Sequence, residues 1–422
     1  MSTRETTRVR HATRQKRHPV LTALILAFAG LLGFVIVFSQ TVIQGVEARI
    51  ETHNVSPLLG DDRPPPALPP DDSAKGRALN ILLMGSDDRS GENAAIGGKE
   101  AGQRNDTTII MHISADRQRV ELLSIPRDTM VRLAQCERSD GSIQKSYFGM
   151  FNEAFANGGK FGSKSDAAAC TIRTVESLTG IRIDHWAIID FVGFQRMVDA
   201  VGGVPMCIPA PVYDKYSGLN LEAGPQVLDG VQALQYARAR HGTGFSGSDL
   251  DRIDRQQVLL KNLARKVIGA QVLFNPRDLF SFMSAVAESM TMDETLGDID
   301  GYSVGLGLSL RNLDTKAGII MGTAPVRGYA PDPNRLEFAP AAAQVFAAMA
   351  NDQPIAPHLD KYSSSPANDP EAFEPSATGG SGSSEGGSGS SEGGSGSSEG
   401  GSSSAPVPPR ETDEDILAGC TH

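Results

Sequence analysis

Short apolar runs alternate along most of the chain with longer segments whose apolar residues recur at helical spacing. Short runs rich in Ile, Val and Leu are typical of buried strands, and recurrence every three or four residues is typical of amphipathic helices. The predicted strands are 80–84, 107–113, 120–125, 185–189, 204–208, 234–239 and 319–323. The predicted helices are 166–179, 191–201, 250–268 and 340–350. This alternation predicts an α/β fold, a three-layer α-β-α sandwich with a mixed sheet.

One long apolar run lies near the N-terminus. Residues 20–38 carry no charge, and as a helix they would extend about 28 Å, close to the hydrocarbon thickness of a bilayer. Arginines and a lysine precede the run, so the positive-inside rule predicts a cytoplasmic segment 1–18 and a transmembrane anchor 19–39, with the remainder extracytoplasmic. A cleavable signal peptide is the alternative, although its apolar core is usually about 7–15 residues. We therefore expect a single-pass protein of the cell membrane.

Segments of biased composition flank the predicted folded domain. Residues 40–78 include RPPPALPP and are predicted to form a juxtamembrane stalk with a stiff proline-rich spacer. The folded extracytoplasmic domain is predicted at 79–355. Three copies of GGSGSSE lie in a predicted disordered linker, 356–410, and a C-terminal tail occupies 411–422.

The four cysteines, Cys136, Cys170, Cys207 and Cys420, show no CxxC spacing, which argues against a zinc site. Disulfides would persist in an oxidising compartment. A cysteine at the end of a long linker is explained if it is tied back to the domain, so we expect Cys207 to pair with Cys420 and Cys136 with Cys170. The sequence does not fix this connectivity, and free buried thiols are the alternative.

The charge of the chain argues against one class of partner and draws attention to arginine. The net charge is −11, whereas a nucleic-acid-binding protein normally has a basic face. Arginines outnumber lysines 28 to 11, and arginine is well suited to bidentate contacts with phosphate. A GC-rich genome would produce the same excess, so the positions of the arginines carry the argument.

Charged residues lie at the ends of predicted strands and at the start of one helix. The segments are GSDDR at 85–89, QRND at 103–106, PRD at 126–128, YARARH at 236–241 and DLDRIDRQQ at 249–257. The loops after the strands of an α/β sheet form a crevice where ligands bind. The last two segments hold the densest positive charge: Arg238 and Arg240 on one face of the predicted strand, and Arg252, Arg255 and Gln256 on one face of the helix.

These arginines require negative charge nearby. Guanidinium groups at 4–6 Å repel each other by about 1–4 kcal/mol per pair at intermediate dielectric. Three local carboxylates, Asp249, Asp251 and Asp254, would relieve the repulsion without any ligand. A pyrophosphate would also relieve it through bidentate contacts, with a divalent cation such as Mg²⁺ on Asp87 and Asp106.

Together these motifs resemble the LytR–CpsA–Psr family of envelope phosphotransferases, in its actinobacterial form. The matching segments are NILLMGSDDR, QRNDTTIIMHI, LLSIPRDT, FNEAFANGG, IDHWAIIDFVGFQRMVDAVGGV, YSGLNLEAG and YARARHG with SDLDRIDRQQ. The resemblance implies an enzyme that moves a glycopolymer from a polyprenyl (undecaprenyl or decaprenyl) pyrophosphate carrier onto peptidoglycan. A polyprenyl-pyrophosphate hydrolase and a non-catalytic lipid-binding regulator are the alternatives.

The resemblance also implies roles for individual residues. Mg²⁺, or Mn²⁺ in its place, is expected on Asp87 and Asp106. The expected pyrophosphate contacts are Arg89, Arg104, Arg127, Arg238, Arg240, Arg252, Arg255 and Gln256. The expected catalytic residues are Asp87, Asp106, Arg127, Arg240 and Asp249, the last as an orienting group or a base.

The resemblance further implies an apolar tunnel for the polyprenyl chain, for which the candidates are Phe191, Phe194 and Val198. Two positions depart from the family pattern. Asn105 stands where serine is frequent, and Asp251 stands where glycine is frequent. Neither change removes a charged contact, although Asp251 would weaken the local affinity for an anion.

Overall fold

The described part of the chain has a mixed α/β architecture. The computed structural model describes residues 50–66, 76–87, 93, 96, 105–161, 163–240, 249–268, 276–359, 412–418 and 420. Its strands are β1 (Glu51–Thr52), β2 (Leu79–Ser86), β3 (Asn105–Ile113), β4 (Val120–Ile125), β5 (Met130–Leu133), β6 (Cys136–Glu137), β7 (Ile143–Gln144), β8 (Tyr147–Met150), β9 (His185–Ile189), β10 (Val204–Ile208), β11 (Val212–Asp214), β12 (Leu219–Leu221), β13 (Gly224–Leu228), β14 (Met290–Met292), β15 (Ile319–Thr323), β16 (Val326–Tyr329) and β17 (Asp332–Phe338).

Helices connect and cover these strands. They are α1 (Ser56–Leu59), α2 (Glu153–Gly158), α3 (Lys164–Thr179), α4 (Phe191–Ala200), α5 (Gly230–Arg238), α6 (Asp249–Ile268), α7 (Pro276–Ser289), α8 (Glu294–Gly297), α9 (Val304–Ser309), α10 (Ala342–Ala350) and α11 (Asp413–Leu417). Helix α3 ends at Gly180 as predicted, because this residue has a φ of 69° and glycine reaches that left-handed conformation without strain.

The central sheet contains seven strands in the order β1-β14-β9-β2-β3-β4-β15. The predicted hairpin between 107–113 and 120–125 is present as the antiparallel pair β3–β4. Strand β9 runs parallel to β2, and β15 runs parallel to β4. The prediction of a mixed α/β fold around a mixed sheet is therefore confirmed.

Apolar side chains on both faces of the sheet are buried under helices. Leu82 of β2 packs in one core with Ile172 of α3 and Val345 of α10. Its neighbour Ile81 points to the other face and packs in a separate core with Leu313. Each such burial stabilises the fold by about 1.5–3 kcal/mol. The partly buried Leu260, Ala264 and Ile268 of α6 pack against this second face.

Another apolar core joins α4, α5 and α6 to the two-stranded sheet β10–β13. Its buried members include Val198, Met206, Ala233 and Leu259. Because this core fixes α5 and α6 against each other, it also fixes the charged residues at the end of α5 and at the start of α6.

The prediction of a strand at 234–239 is wrong, because this segment belongs to helix α5. Asp229 caps the helix: its Oδ1 accepts a hydrogen bond from the Gln232 backbone N–H at 2.8 Å, and the Gln232 side chain accepts one from the Asp229 N–H at 3.2 Å. A capping box followed by residues without β-branching favours a helix. Arg238 therefore ends a helix, and Arg240 follows it, so the two do not share a strand face.

The prediction of a stalk over residues 40–78 is wrong for the described segment 50–66. Strand β1 pairs in parallel with β14, and Val55 and Leu59 are buried in the main core. Arg63 forms an ion pair of 2.6 Å with Glu176 of α3. The apolar residues of this segment bury themselves against the domain, so the folded part begins ahead of residue 79.

The predicted transmembrane anchor, 19–39, lies outside the described residues. Within the described ranges, no helix has both the length and the apolar character needed to cross a membrane. Of the predicted linker 356–410 the structure describes only residues 356–359, where Ala356–His358 form a 3₁₀ turn.

Both expected disulfides, Cys136–Cys170 and Cys207–Cys420, are present. The second connects the segment that carries α11 to β10. Beside it, Lys266 of α6 donates a hydrogen bond of 2.9 Å to Asp413 of α11. A disulfide and an ion pair therefore tie the described part of the C-terminal segment to the domain.

Candidate functional site

A cavity of about 730 Å³ lies between the sheet and helices α4, α5 and α6. Its charged lining residues are Asp87, Asp106, Arg127, Asp128, Asp190, Asp214, Arg238, Arg240, Arg252 and Arg335. Its large apolar lining residues are Leu83, Met84, Ile109, Met150, Ile189, Phe191, Phe194, Met197, Leu234, Leu259, Leu260, Leu263 and Met290. The cavity therefore offers surfaces for both an anion and an apolar chain.

The polarity of the lining changes along the elements that form it. Along β2 the lining passes from Leu83 to Asp87, just beyond the strand end. Along α6 it passes from Arg252 in the first turn to Leu259 and Leu263 about two turns later. Charged groups thus lie at the carboxyl end of β2 and the amino end of α6, and apolar groups lie earlier along β2 and later along α6.

A β-bulge places Asp106 at the charged part of the cavity. In the β2–β3 ladder Gly85 pairs with Thr107 and Ser86 pairs with Asn105, so Asp106 is the extra residue of the bulge. The Asn105 side chain stabilises the bulge, since its Oδ1 accepts a hydrogen bond of 3.0 Å from the Thr107 N–H. A bulge redirects side chains from strict alternation, and both Asp106 and Thr107 line the cavity here.

Arg127 connects two carboxylates at the cavity wall. Its Nη1 lies 2.6 Å from Oδ1 of Asp106, and its Nε lies 3.6 Å from Oδ2 of Asp128. The side chain of Arg127 is only 20% exposed, so these charges interact with less screening than at an open surface. Asp128 in turn lies 3.6 Å from Nη1 of Arg335.

The end of α5 presents two arginines that are held in different ways. The Arg238 guanidinium lies 4.4 Å from the centre of the Phe191 ring, a favourable cation–π arrangement. The Arg240 backbone N–H donates a 2.8 Å hydrogen bond to Oδ2 of Asp214, which is 1% exposed. Arg238 therefore lies at the boundary between apolar and charged lining, and Asp214 fixes the backbone of Arg240.

Helix α6 contributes Arg252 and Gln256 to the cavity, one turn apart. Gln256 also joins two elements, because it accepts a hydrogen bond from Thr107 and donates one to the carbonyl of Ala237. Arg255 is not among the described residues that line the cavity: its Nη2 donates a hydrogen bond to the carbonyl of Ala239, and its Nη1 lies 3.6 Å from Asp251. The geometry thus makes Arg255 a link between α6 and the end of α5.

Six of the expected pyrophosphate contacts fall on described residues, and five of these line the cavity: Arg127, Arg238, Arg240, Arg252 and Gln256. The expected contacts Arg89 and Arg104 lie outside the described residues. Asp249 is the first residue of α6, but its side chain also lies outside the description.

The two aspartates expected to hold a metal, Asp87 and Asp106, both line the cavity, and Asp87 is 8% exposed. Across the described ranges, no group of three or more His, Cys, Asp or Glu side chains could hold a metal ion. Magnesium, however, is commonly bound by one or two carboxylates together with substrate phosphates. The two carboxylates beside the arginines have the donor chemistry for that mode of binding.

Sequence patterns missed several residues that line the cavity. Asp214, Tyr216 and Ser217 come from the β11–β12 turn, and Arg335 comes from β17. The Asp-x-x-x-Gly pattern at 214–218 does indicate a turn, because an aspartate side chain readily accepts hydrogen bonds from the following backbone N–H groups. No sequence pattern indicates Arg335, whose place depends on how the β16–β17 hairpin folds back beside β5.

Asp254 of α6 is an acidic residue with an altered ionisation. Burial raises the pKa of its carboxyl group from the usual 3.8 to about 6, and the nearby Asp251 raises it further, while Arg255 lowers it. Its charge is therefore disfavoured in the folded chain. Between about pH 4 and pH 6 the folded chain holds a proton at Asp254 that the unfolded chain has lost, so the free energy of unfolding decreases as the pH rises.

We expect Asp254→Asn to raise the free energy of unfolding by about 1 kcal/mol at neutral pH, because it removes this unfavourable charge. The gain should shrink as the pH falls through the window and vanish below about pH 4. Urea unfolding of the full chain, followed by the fluorescence of the single Trp186, measures the difference. Asp251→Asn should shift the pH range of this effect downward, because Asp251 raises the pKa of Asp254. If the free energy of unfolding of Asp254→Asn and of the parent changed with pH in parallel, the raised pKa of Asp254 would be contradicted.

Comparisons with known proteins agree with this architecture. The model described as LytR_cpsA_psr family matches residues 46–327. The probable cell wall biosynthesis protein LcpB of Corynebacterium glutamicum is 34% identical over 270 residues, which cover 63% of this chain and 58% of that protein. The polyisoprenyl-teichoic acid–peptidoglycan teichoic acid transferase TagU of Oceanobacillus iheyensis is 31% identical over 298 residues, which cover 70% of this chain and 77% of that protein.

A solved structure shares the fold. The protein gbs0355 from Streptococcus agalactiae is 20% identical and superposes with a TM-score of 0.51 over 68% of this chain and 91% of its own. At that identity the likeness shows the fold alone. The chain also spans less than two thirds of the length of the Corynebacterium relative.

Proposed function

Because the chain belongs to the LytR–CpsA–Psr family, we propose that it is a phosphotransferase of the cell envelope. The proposed reaction moves a glycopolymer from a polyprenyl pyrophosphate carrier onto peptidoglycan. Relatives named as a cell wall biosynthesis protein and as a teichoic acid transferase support the proposal of a transfer reaction in the cell wall. The observation that carries the proposal is a cavity that combines five arginines with an apolar wall.

The proposed substrate is matched to both parts of the lining. Arg127, Arg238, Arg240 and Arg252 would bind the pyrophosphate, and each charge-assisted hydrogen bond contributes about 1.5–3 kcal/mol. The polyprenyl chain would lie along the apolar lining. Phe191 and Phe194 are part of that lining, whereas the third candidate, Val198, is buried in the core around β10 instead.

The chemical step is a displacement at phosphorus. The hydroxyl oxygen of the acceptor attacks the phosphorus that bears the glycopolymer, and a new P–O bond forms. The bond from that phosphorus to the bridging oxygen breaks, and polyprenyl monophosphate leaves with the electron pair. The arginines stabilise the negative charge that grows on the phosphate oxygens. Asp249 is predicted either to orient these groups or to act as the base that takes the proton of the hydroxyl.

We also propose that Asp87 and Asp106 bind Mg²⁺, for which Mn²⁺ would substitute. Two carboxylates beside a phosphate site suit this ion, which completes its coordination with phosphate oxygens and water. When bound, it would neutralise charge on the pyrophosphate. Arg127 would keep Asp106 in place, since the two side chains are 2.6 Å apart.

The proposed location is the outer face of the cell membrane, with the N-terminus in the cytoplasm. The support is the apolar run 20–38 behind a basic segment. An anchor there would hold the cavity near the bilayer, where a polyprenyl carrier resides.

A reconstituted transfer assay tests the proposed function. The full chain is incubated with Mg²⁺, a polyprenyl pyrophosphate that carries a radiolabelled glycan, and purified peptidoglycan. We expect label bound covalently to peptidoglycan together with polyprenyl monophosphate. Chelation by EDTA should lower the rate at least tenfold, and added Mg²⁺ or Mn²⁺ should restore it.

The two alternatives give different products in the same assay. Free labelled glycan phosphate with none bound to peptidoglycan would show that the protein is a hydrolase. If neither product formed, and if cells with Asp87→Asn or Arg240→Ala kept a normal content of wall polymer, a non-catalytic role would replace the proposed one.

A further inference from the structure

The β11–β12 turn, residues 214–218, extends one wall of the cavity toward solvent. Tyr216 and Ser217 of this turn line the cavity, and Tyr216 is 84% exposed. On the basis of the proposed function, we infer that this turn binds the first sugar of the donor, the one attached to the pyrophosphate. Tyr216 would provide a flat surface for the sugar ring, and Ser217 would provide a hydrogen bond.

The turn is held rigidly, as a binding surface must be. The buried carboxylate of Asp214 accepts a hydrogen bond of 2.8 Å from the Tyr216 N–H through Oδ1. Through Oδ2 it accepts another of 2.8 Å from the Arg240 N–H. Below the turn, Leu219 and Leu221 are buried in the core around β10. One side chain thus fixes both the aromatic residue and an arginine that we assign to the pyrophosphate.

Because Asp214 binds the backbone N–H groups of both Tyr216 and Arg240, we place the first sugar beside the inferred pyrophosphate position. The group bonded to the pyrophosphate on the side away from the lipid is a sugar, and the apolar lining accounts for the lipid side. An aromatic ring presents a face of partial negative charge, against which the C–H groups of a pyranose pack well.

The hydroxyl of Ser217 is a second observation that points to a ligand. Its Oγ is buried at the cavity wall and has no hydrogen-bond partner among the residues that the structure describes. Buried hydroxyls normally have a partner, either from the protein or from a bound molecule. In the described conformation the Oγ has almost no accessible surface, so a hydroxyl or acetamido group of a sugar on Tyr216 would supply that partner after rotation of the Ser217 side chain toward the cavity.

The same hairpin contains a matched control. Tyr213 of β11 is also well exposed, at 56%, but it is absent from the described residues that line the cavity. Tyr213→Ala therefore removes an exposed aromatic ring from the hairpin without altering the inferred sugar surface. Tyr216→Phe keeps the ring and removes only its hydroxyl group.

Binding of two lipid probes to the full chain tests the inference. One probe is a polyprenyl pyrophosphate that carries one N-acetylglucosamine, and the other is the same lipid pyrophosphate without sugar. We expect the parent to bind the glycosylated probe about three- to tenfold more tightly than the bare one. Tyr216→Ala should abolish this ratio without weakening the bare probe, while Tyr216→Phe and Tyr213→Ala should keep it. Ser217→Ala should reduce the ratio.

The outcomes separate this inference from the proposed function. Failure of the parent to bind either lipid would overturn the proposed function itself. Equal affinity of the parent for both probes, or a ratio that survives in Tyr216→Ala, would overturn the inference alone. If Tyr216→Ala kept the ratio but raised KM for a peptidoglycan fragment in the transfer assay, the turn would bind the acceptor sugar, and the assignment to the donor would be wrong.

Discussion

Replacement of Arg127 by alanine is expected to lower the rate of glycopolymer transfer about 10²- to 10³-fold, the loss typical when one preorganised donor to a developing oxyanion is removed. The guanidinium lies 2.6 Å from Asp106 and 3.6 Å from Asp128. The change therefore removes both a proposed phosphate contact and the cation that balances two carboxylates. The loss should appear in the rate at saturating donor as well as in the affinity for the donor.

Arg127→Lys separates charge from shape at the same position. Lysine keeps the positive charge but cannot span two oxygens with a planar fork, so we expect a loss of more than about tenfold. Arg132→Ala is the matched control, because Arg132 is an exposed arginine on β5 nearby and its loss should change the rate less than about twofold. A transfer rate in Arg127→Ala within about twofold of the parent, with Trp186 fluorescence unchanged, would refute the role that we propose.

The second large effect concerns stability. We expect Arg63→Ala to lower the free energy of unfolding by about 3–5 kcal/mol, because it leaves a buried carboxylate without its cation. Arg63 donates to Glu176 at 2.9 and 2.6 Å, and the Glu176 side chain is only 4% exposed. The same guanidinium donates to the carbonyl of Ile183 at 2.7 Å. Urea unfolding of the full chain provides the measurement.

Two further variants make this stability test specific. Adding Glu176→Gln to Arg63→Ala should restore part of the lost stability, because a neutral amide costs less to bury than a carboxylate. Arg327→Ala breaks the pair with Glu337, in which Arg327 is 62% exposed, and should cost less than about 1 kcal/mol. Equal urea midpoints for Arg63→Ala and Arg327→Ala would show that the segment before residue 79 contributes little to the domain.

The sequence allowed good predictions where a short pattern determines the structure locally. The apolar runs of β2, β3, β4 and β9 identify the central sheet, since few other elements accommodate such runs. The segment 234–239 is short and rich in apolar residues, a pattern that strands and buried helices share, so the capping residues ahead of it decide its structure. Asp229 and Gln232 start a helix there, and the helix continues to Arg238.

The candidate site was predictable only where its residues belong to the charged motifs. Asp106, Arg127 and Arg252 could be found in this way, and all three line the cavity. Asp214 and Arg335 could not, because they act through residues far away in the chain: Asp214 holds Arg240, and Arg335 lies beside Asp128. Local spacing carries no information about such pairs.

The bulge at Asp106 has a consequence for the evolution and engineering of this domain. A deletion of that one residue would let β2 and β3 pair without interruption, so the shortened sheet would gain a regular ladder while it lost a proposed metal ligand. The deletion would also remove the carboxylate that pairs with Arg127 at 2.6 Å, so the regular ladder would be gained at the loss of an ion pair. Under the proposed function, we expect the extra residue to be retained in descendants that still carry out the reaction.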